Sequence, residues 1–245
     1  MILALAFALT GCSEEALGEL GGRSSDWIGE VATTATTTTT TLPTLTRPAG
    51  TADWINREFS PPAPDAEPSA VLAEVFARSG PASRYLQASP AEIVAVTPEV
   101  EFPGIVPTEV SFVTSQVVIE SRELTLADDP TVAFGLWSVE PYSRSRSVGQ
   151  LAVLNVSRDP DGVELAAGDD VEAVCTAVVT GERLCAFEDL SAFPVWRLED
   201  GGGVVHVWFR EPFRYELDGF PAVDEELVHE VIASVMPLGE LTFDE

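Results

Sequence analysis

A chain of 245 residues, 45% of them hydrophobic, is long enough for one sizeable domain with accessory segments and can build a core. Its 13 basic residues, every one an arginine, stand against 40 acidic ones, and the net charge of -27 repels nucleic acid and anionic headgroups, which excludes both as expected partners. The same acidity keeps an exposed domain soluble.

Residues 1–10 form an apolar run that stops at Leu9-Thr10-Gly11-Cys12. Ten residues are too few to span a bilayer as a helix but suit the apolar region of a secretory signal ending in small residues. Leu9-Thr10-Gly11-Cys12 resembles the lipobox of bacterial lipoproteins, a Leu, two small residues and a Cys. The resemblance implies cleavage before Cys12, residues 1–11 as signal peptide, and a diacylglycerol on the Cys12 sulfur. No Arg or Lys precedes the run, so the start codon is expected upstream. The competing reading is an uncleaved apolar N-terminus with an incidental Cys.

Residues 12–65 show no sustained apolar period and contain a threonine-rich run that ends at Thr41-Leu42-Pro43. Such composition predicts a disordered tether, since it buries too little apolar surface to offset ordering entropy. About 50 flexible residues have a root-mean-square reach of roughly 40 Å. Asp26-Trp27-Ile28 recurs as Asp53-Trp54-Ile55, either as a pair of docking peptides or as chance and weak packing against the domain.

A folded domain is expected over residues 66–245. Pro68-Ser69 opens a helical pattern with Val71, Leu72, Val75 and Phe76 on one face and a stop at Ser79-Gly80-Pro81. Ser89-Pro90-Ala91-Glu92 has the form of a capping box, and Pro98 closes the short helix it starts. Pro103 and Pro107 mark an extended connection.

Beyond Pro107 the period becomes two, predicting strands over 115–126, 131–139, 148–157, 171–179, 183–188, 194–198 and 204–210. Asp128-Asp129-Pro130, Asp159-Pro160-Asp161-Gly162, Thr180-Gly181 and Asp200-Gly201 fall between them as turns. Short connections predict antiparallel neighbours. The last element is a helix over 224–236, capped by Asp224, with Leu227, Val228, Val231, Ile232, Val235 and Met236 as its stripe; burying six such side chains contributes on the order of 10 kcal/mol gross. The fold class is therefore α+β: an antiparallel β-sheet meander packed against a C-terminal helix, with short N-terminal helices. From about residue 175 to 236, Trp196, Glu199-Asp200-Gly201-Gly202 and Asp224-Glu225-Glu226-Leu227 resemble the C-terminal module of extracytoplasmic bacterial domains attached to lipoproteins and membrane-bound regulators. That resemblance implies topology and no chemistry.

Cys175 and Cys185 flank the Gly181 turn. A three-residue loop with Gly181 in the left-handed position pairs Val178 with Glu182 and sets Cys175 opposite Cys185 at a non-hydrogen-bonded site, about 4.5 Å between Cα atoms. A two-residue loop would put the sulfurs on opposite faces. Export favours a disulfide. No further Cys and no nearby His argues against zinc at these sulfurs, and no metal or cofactor is expected anywhere.

Catalytic signatures fail one after another. His229-Glu230 begins like H-E-x-x-H, but Ala233 stands where the second His belongs, so His229 reads as an exposed helix residue. Asp159-Pro160-Asp161-Gly162, with Asp169-Asp170 beyond, offers oxygens for calcium without EF-hand spacing, and a turn explains it better. Neither G-x-S-x-G, a P-loop nor a dinucleotide glycine pattern occurs, and no catalytic residue is assigned. Arg144 and Arg146, among the hydroxyls of Tyr142 to Ser147, offer an anion clamp or partners for the chain's own acids. The expected ligand face is His206, Trp208 and Arg210 on one side of a strand, with Trp196 from the neighbouring strand joining them; the competing reading is a covered sheet face.

Together these features predict a lipid-anchored extracytoplasmic binding or accessory module of the bacterial cell envelope, non-catalytic, held at the cell membrane through Cys12, with an envelope protein or a glycan as ligand. The alternative is a secreted envelope hydrolase with an unrecognised active site, and a structural spacer comes third.

Overall fold

The computed structural model describes residues 45–57, 59, 61–79, 84–119, 131–139, 148–168, 170–179, 181–190, 193–199, 203–220 and 223–243. Residues 9–12, the threonine-rich run, the Asp128-Asp129-Pro130 turn, Asp200-Gly201 and the 142–147 arginine loop lie outside them. Among the described residues no helix is long and apolar enough to cross a membrane.

The folded part starts earlier than composition predicts. β1 (Thr46–Pro48) pairs with β5 (Ile105–Pro107), and β2 (Asp53–Trp54) adds parallel to β6 (Phe112–Val118). Trp54, 3% exposed, sits in the main core and donates its indole N–H to the Ala49 carbonyl, 3.0 Å away. The end of the expected tether is thus an edge of the domain: a single buried Trp with aromatic neighbours outweighs the polar composition around it.

Next come α1 (Pro68–Ser79), β3 (Tyr85–Gln87), α2 (Pro90–Val96) and β4 (Glu101–Pro103). α2 begins with a closed capping box: Ser89 Oγ accepts from the Glu92 amide at 3.2 Å, and Glu92 Oε2 accepts from the Ser89 amide at 2.8 Å. Arg78 of α1 reaches the same carboxylate at 2.9 and 2.8 Å, tying the two helices together.

The large sheet is built from β6, β7 (Thr131–Val139), β8 (Val148–Arg158), β9 (Leu184–Leu190), β10 (Phe193–Glu199), β11 (Val204–Arg210) and β12 (Phe213–Gly219), with the order β2-β6-β7-β8-β12-β11-β10-β9 and β3 also on β6. All its pairings are antiparallel except β2 with β6. This is two meanders joined out of sequence, since β8 pairs with β12 and the chain must first cross to the far edge.

Two helices make that crossing, where a turn and a strand were expected. Asp159 caps α3 (Pro160–Ala167), its carboxylate accepting from the Gly162 amide at 2.8 Å with Pro160 in the first turn, so the supposed hairpin turn is a helix start. Asp170 caps α4 (Val171–Val178) in the same way, accepting from the Ala173 amide at 3.0 Å. The β-branched run read as strand 171–179 carries Val171, Val174 and Val178 at helical spacing, and Val174 and Val178 are buried. Cys175 and Cys185 are bridged, as expected, with Cα atoms 5.8 Å apart, but the bond joins α4 to β9 rather than two strands of a hairpin.

α5 (Glu225–Ala233) is capped by Asp224, which accepts from the Glu226 amide at 2.9 Å. It ends three residues short of the expected helix. Val235 and Met236 leave it to form β13 (Val235–Pro237), paired with β4.

Strand alternation gives the sheet two unlike faces. One carries Val113, Val117, Phe134, Leu154, Tyr215 and Trp208 into the main core, closed by α1, α2, α5 and the N-terminal segment. On the other, Trp196, Leu198, Val205 and Val207 form a second cluster under α3 and α4. The remainder of that second face, across β6, β7, β8 and β12, carries Thr114, Gln116, Gln150, Asn155 and Asp218.

Candidate metal centre

The chain has two histidines, and the fold brings them together. His206 lies on β11, opposite Arg197 of β10, and Glu188 of β9 stands opposite Val195, two residues from Arg197 and on the same face. α5 crosses this end of the sheet. Its Glu225 and His229, one helical turn apart, project from one side toward the strands. The His206 and His229 rings are 5.9 Å apart and almost perpendicular, at 87°.

One ligating atom from each of Glu188, His206, Glu225 and His229 lies within 4.8 Å of all the others. His229 Nε2 is 2.9 Å from Glu188 Oε2, and Arg197 Nε is 2.7 Å from Glu225 Oε1 and 3.8 Å from Glu188 Oε1. The Arg197 guanidinium also contacts Glu199. These approaches are close without being aligned. Among the described residues, His206 Nδ1 and Nε2, His229 Nε2, Glu188 Oε2 and Arg197 Nε are all buried and make no hydrogen bond.

His206 is the least ordinary of these groups. It is 3% exposed with both ring nitrogens unpartnered, whereas buried polar atoms in native structures almost always have partners. Burial, then the neighbouring His229 and the Arg197 guanidinium, push its imidazole down to about 4, so it is neutral at pH 7. A neutral imidazole has a nitrogen lone pair available to a cation. Two imidazoles with two carboxylates suit zinc and other divalent first-row metals better than calcium or magnesium, which prefer all-oxygen shells.

Comparison with protein-family models, with curated proteins and with solved structures returns no match.

The expected ligand face does not exist as a surface. Trp196 pairs with Val207 and so lies on the opposite side of the sheet from Trp208, in the second cluster, 2% exposed. Trp208 is fully buried and stacked on Tyr215, 5.3 Å between ring centroids. Arg210 is engaged, with its guanidinium 3.1 Å from Glu101 and 5.4 Å above the Phe193 ring. α5 covers His206, and His229 faces inward instead of being an exposed helix residue. Asp159, the first of the supposed calcium ligands, is spent as a helix cap. The signal that could have found the cluster was the pair of histidines itself, with Glu225 and His229 at i, i+4.

A second site lies in the open on the polar face. Tyr85, Thr114, Gln116, Trp137, Gln150, Asn155 and Asp218 line a shallow groove of about 460 Å³. Gly135 makes it possible: a Cβ there would stand 2.6 Å from both Trp137 Nε1 and Thr114 Oγ1. Without one, the indole folds over the strand, donates to Thr114 Oγ1 at 2.9 Å and stacks on Phe112 with planes 7° apart. Tyr85, 58% exposed, stands at the groove's edge.

Proposed function

We propose that this protein is a lipid-anchored, extracytoplasmic, non-catalytic binding module of the bacterial cell envelope, held at the membrane through Cys12, whose ligand is a neutral glycan taken in the Trp137 groove. The observation that carries this reading is the braced Trp137 indole, flanked by the Thr114 hydroxyl and the amides of Gln116, Gln150 and Asn155 on the part of its sheet face that no helix among the described residues covers. Aromatic faces beside fixed amides suit sugar rings, which present C–H patches on one side and hydroxyls at the rim. Asp218 in the groove and the net charge of -27 disfavour anionic polymers. With Thr46 already in the fold, a tether from residue 13 to 45 has about 33 residues and a root-mean-square reach of roughly 30 Å, which lifts the groove clear of the headgroups.

The hydrolase alternative would have to use the histidine–glutamate cluster. Within it only His206 is buried, so no substrate bond reaches that imidazole, and the half-exposed Glu225 and partly exposed Glu188 and His229 stand on the rim without a cleft described around them. Two measurements test the proposal. On an array of neutral oligosaccharides the protein should retain at least one glycan, and Trp137→Ala should weaken it at least tenfold; no bound glycan, or an unaffected variant, refutes the groove. Expressed with an upstream start in a lipoprotein-competent host, Cys12→Ala should move from membrane to soluble fraction, and a membrane-bound variant refutes the anchor.

A further inference from the structure

We propose that Glu188, His206, Glu225 and His229 bind one divalent transition-metal ion of zinc-like preference, which pins α5 to β9 and β11. The site is separate from the glycan groove, which lies on the other face of the sheet, so either proposal can fail alone. Three observations carry it. The four side chains come from three separate elements, β9, β11 and α5, yet their ligating atoms lie within 4.8 Å of one another, so that small side-chain adjustments bring them to zinc-ligand distances. Both ring nitrogens of the almost fully buried His206 lack a hydrogen-bond partner, and His229 Nε2 and Glu188 Oε2, though 2.9 Å apart, make no aligned hydrogen bond. The chain has no other histidine, so the convergence uses its whole imidazole complement.

Charge supports the same reading. Glu188 and Glu225 bring two negative charges against the single positive charge of Arg197, and a dication is balanced once Glu199 is counted with them. Arg197 is the group that holds the carboxylates when no metal is bound. On binding, its guanidinium keeps Glu199 and yields Glu225 and Glu188 to the ion. Because α5 closes one side of the main core through Val228 and Ile232, a metal here ties the terminal helix to the sheet edge that carries the disulfide. Nothing in the arrangement asks for chemistry at the metal: four protein donors fill a tetrahedral shell, the usual form of a structural zinc site.

The test uses the purified chain without any histidine tag, stripped with EDTA and titrated with Zn(II), with Co(II) as the coloured substitute. One equivalent should bind, Co(II) should develop the visible bands of tetrahedral coordination, and unfolding should shift to higher temperature. Since the chain has two imidazoles, a long-range proton–nitrogen NMR spectrum contains two ring systems, and both should shift on zinc addition at 0.15 M salt. His229→Ala, partly buried and expected to fold, should weaken binding at least 100-fold, and Glu225→Gln at least tenfold. Zinc that binds without moving the two ring systems is held by the acidic surface and overturns the proposal. So do the absence of stoichiometric binding and an unchanged affinity in a folded His229→Ala, with circular dichroism checking the fold.

Discussion

Trp54 tests whether the domain begins at Thr46 rather than near residue 66. Its ring lies edge-on to Phe102, Phe243 and Phe134 at centroid distances of 4.9, 5.3 and 6.2 Å, and its N–H reaches the Ala49 carbonyl. That carbonyl also accepts from the Ala52 amide at 3.1 Å, so truncation does not orphan it and removes only about 1 kcal/mol of hydrogen bonding. Packing dominates. Cutting a buried Trp to Ala costs about 3–5 kcal/mol, so we expect Trp54→Ala to lose about 4 kcal/mol, a large share of the roughly 5–15 kcal/mol that holds a domain folded. With a urea slope of about 2 kcal/mol per molar, the midpoint falls by about 2 M. The assay is far-UV circular dichroism, because the substitution itself alters fluorescence. Trp54→Phe, which keeps a ring edge but not the donor, should lose less than half as much. If Trp54→Ala shifts the midpoint by less than about 0.5 M, residues 46–57 are not part of the cooperative unit. The tether would then regain its longer reach of roughly 40 Å.

Two further predictions concern the bridge and the groove. The Cys175–Cys185 bridge closes a sequence separation of 10, for which the loop-entropy model gives about 2.7 kcal/mol; the double Ser variant should lose up to that much in urea unfolding under oxidising conditions, and free thiols in the unreduced wild type would refute the bridge. Gly135→Ala forces the Trp137 indole off Thr114, so glycan binding should fall with Trp137→Ala while stability drops by only about 1–2 kcal/mol; retained binding in this variant would mean the braced indole is not the platform.

Local chemistry was legible where a few adjacent residues settle the outcome. Ser89 and Glu92 close their box and Asp224 caps its helix because each hydrogen bond spans two or three residues and needs nothing from the rest of the chain. The strands over β7, β8 and β11 follow from side-chain alternation, and the two cysteines were pairable from export and proximity in sequence. The run Val171–Val178 was not decidable this way. Its β-branched residues favour a strand while Asp170 and the spacing of Val171, Val174 and Val178 favour a helix, and what tips the balance is the second apolar cluster, where Trp196, Leu198, Val205 and Val207 need a cover. The same limit applies to the sites. Alternation places His206 opposite Val205 and Val207 across the strand, and i, i+4 spacing puts Glu225 beside His229. Which face α5 would cover depends on β12 returning to pair with β8, a contact between segments more than 50 residues apart in sequence. Trp196 and Trp208 were separated for the same reason, since only the β10–β11 register decides which residues share a side. The sequence by itself determined the caps, the alternation and the residues available for a site. Strand order and helix placement, set by long-range burial, decided that two histidines meet under α5 and that Trp137 lies open.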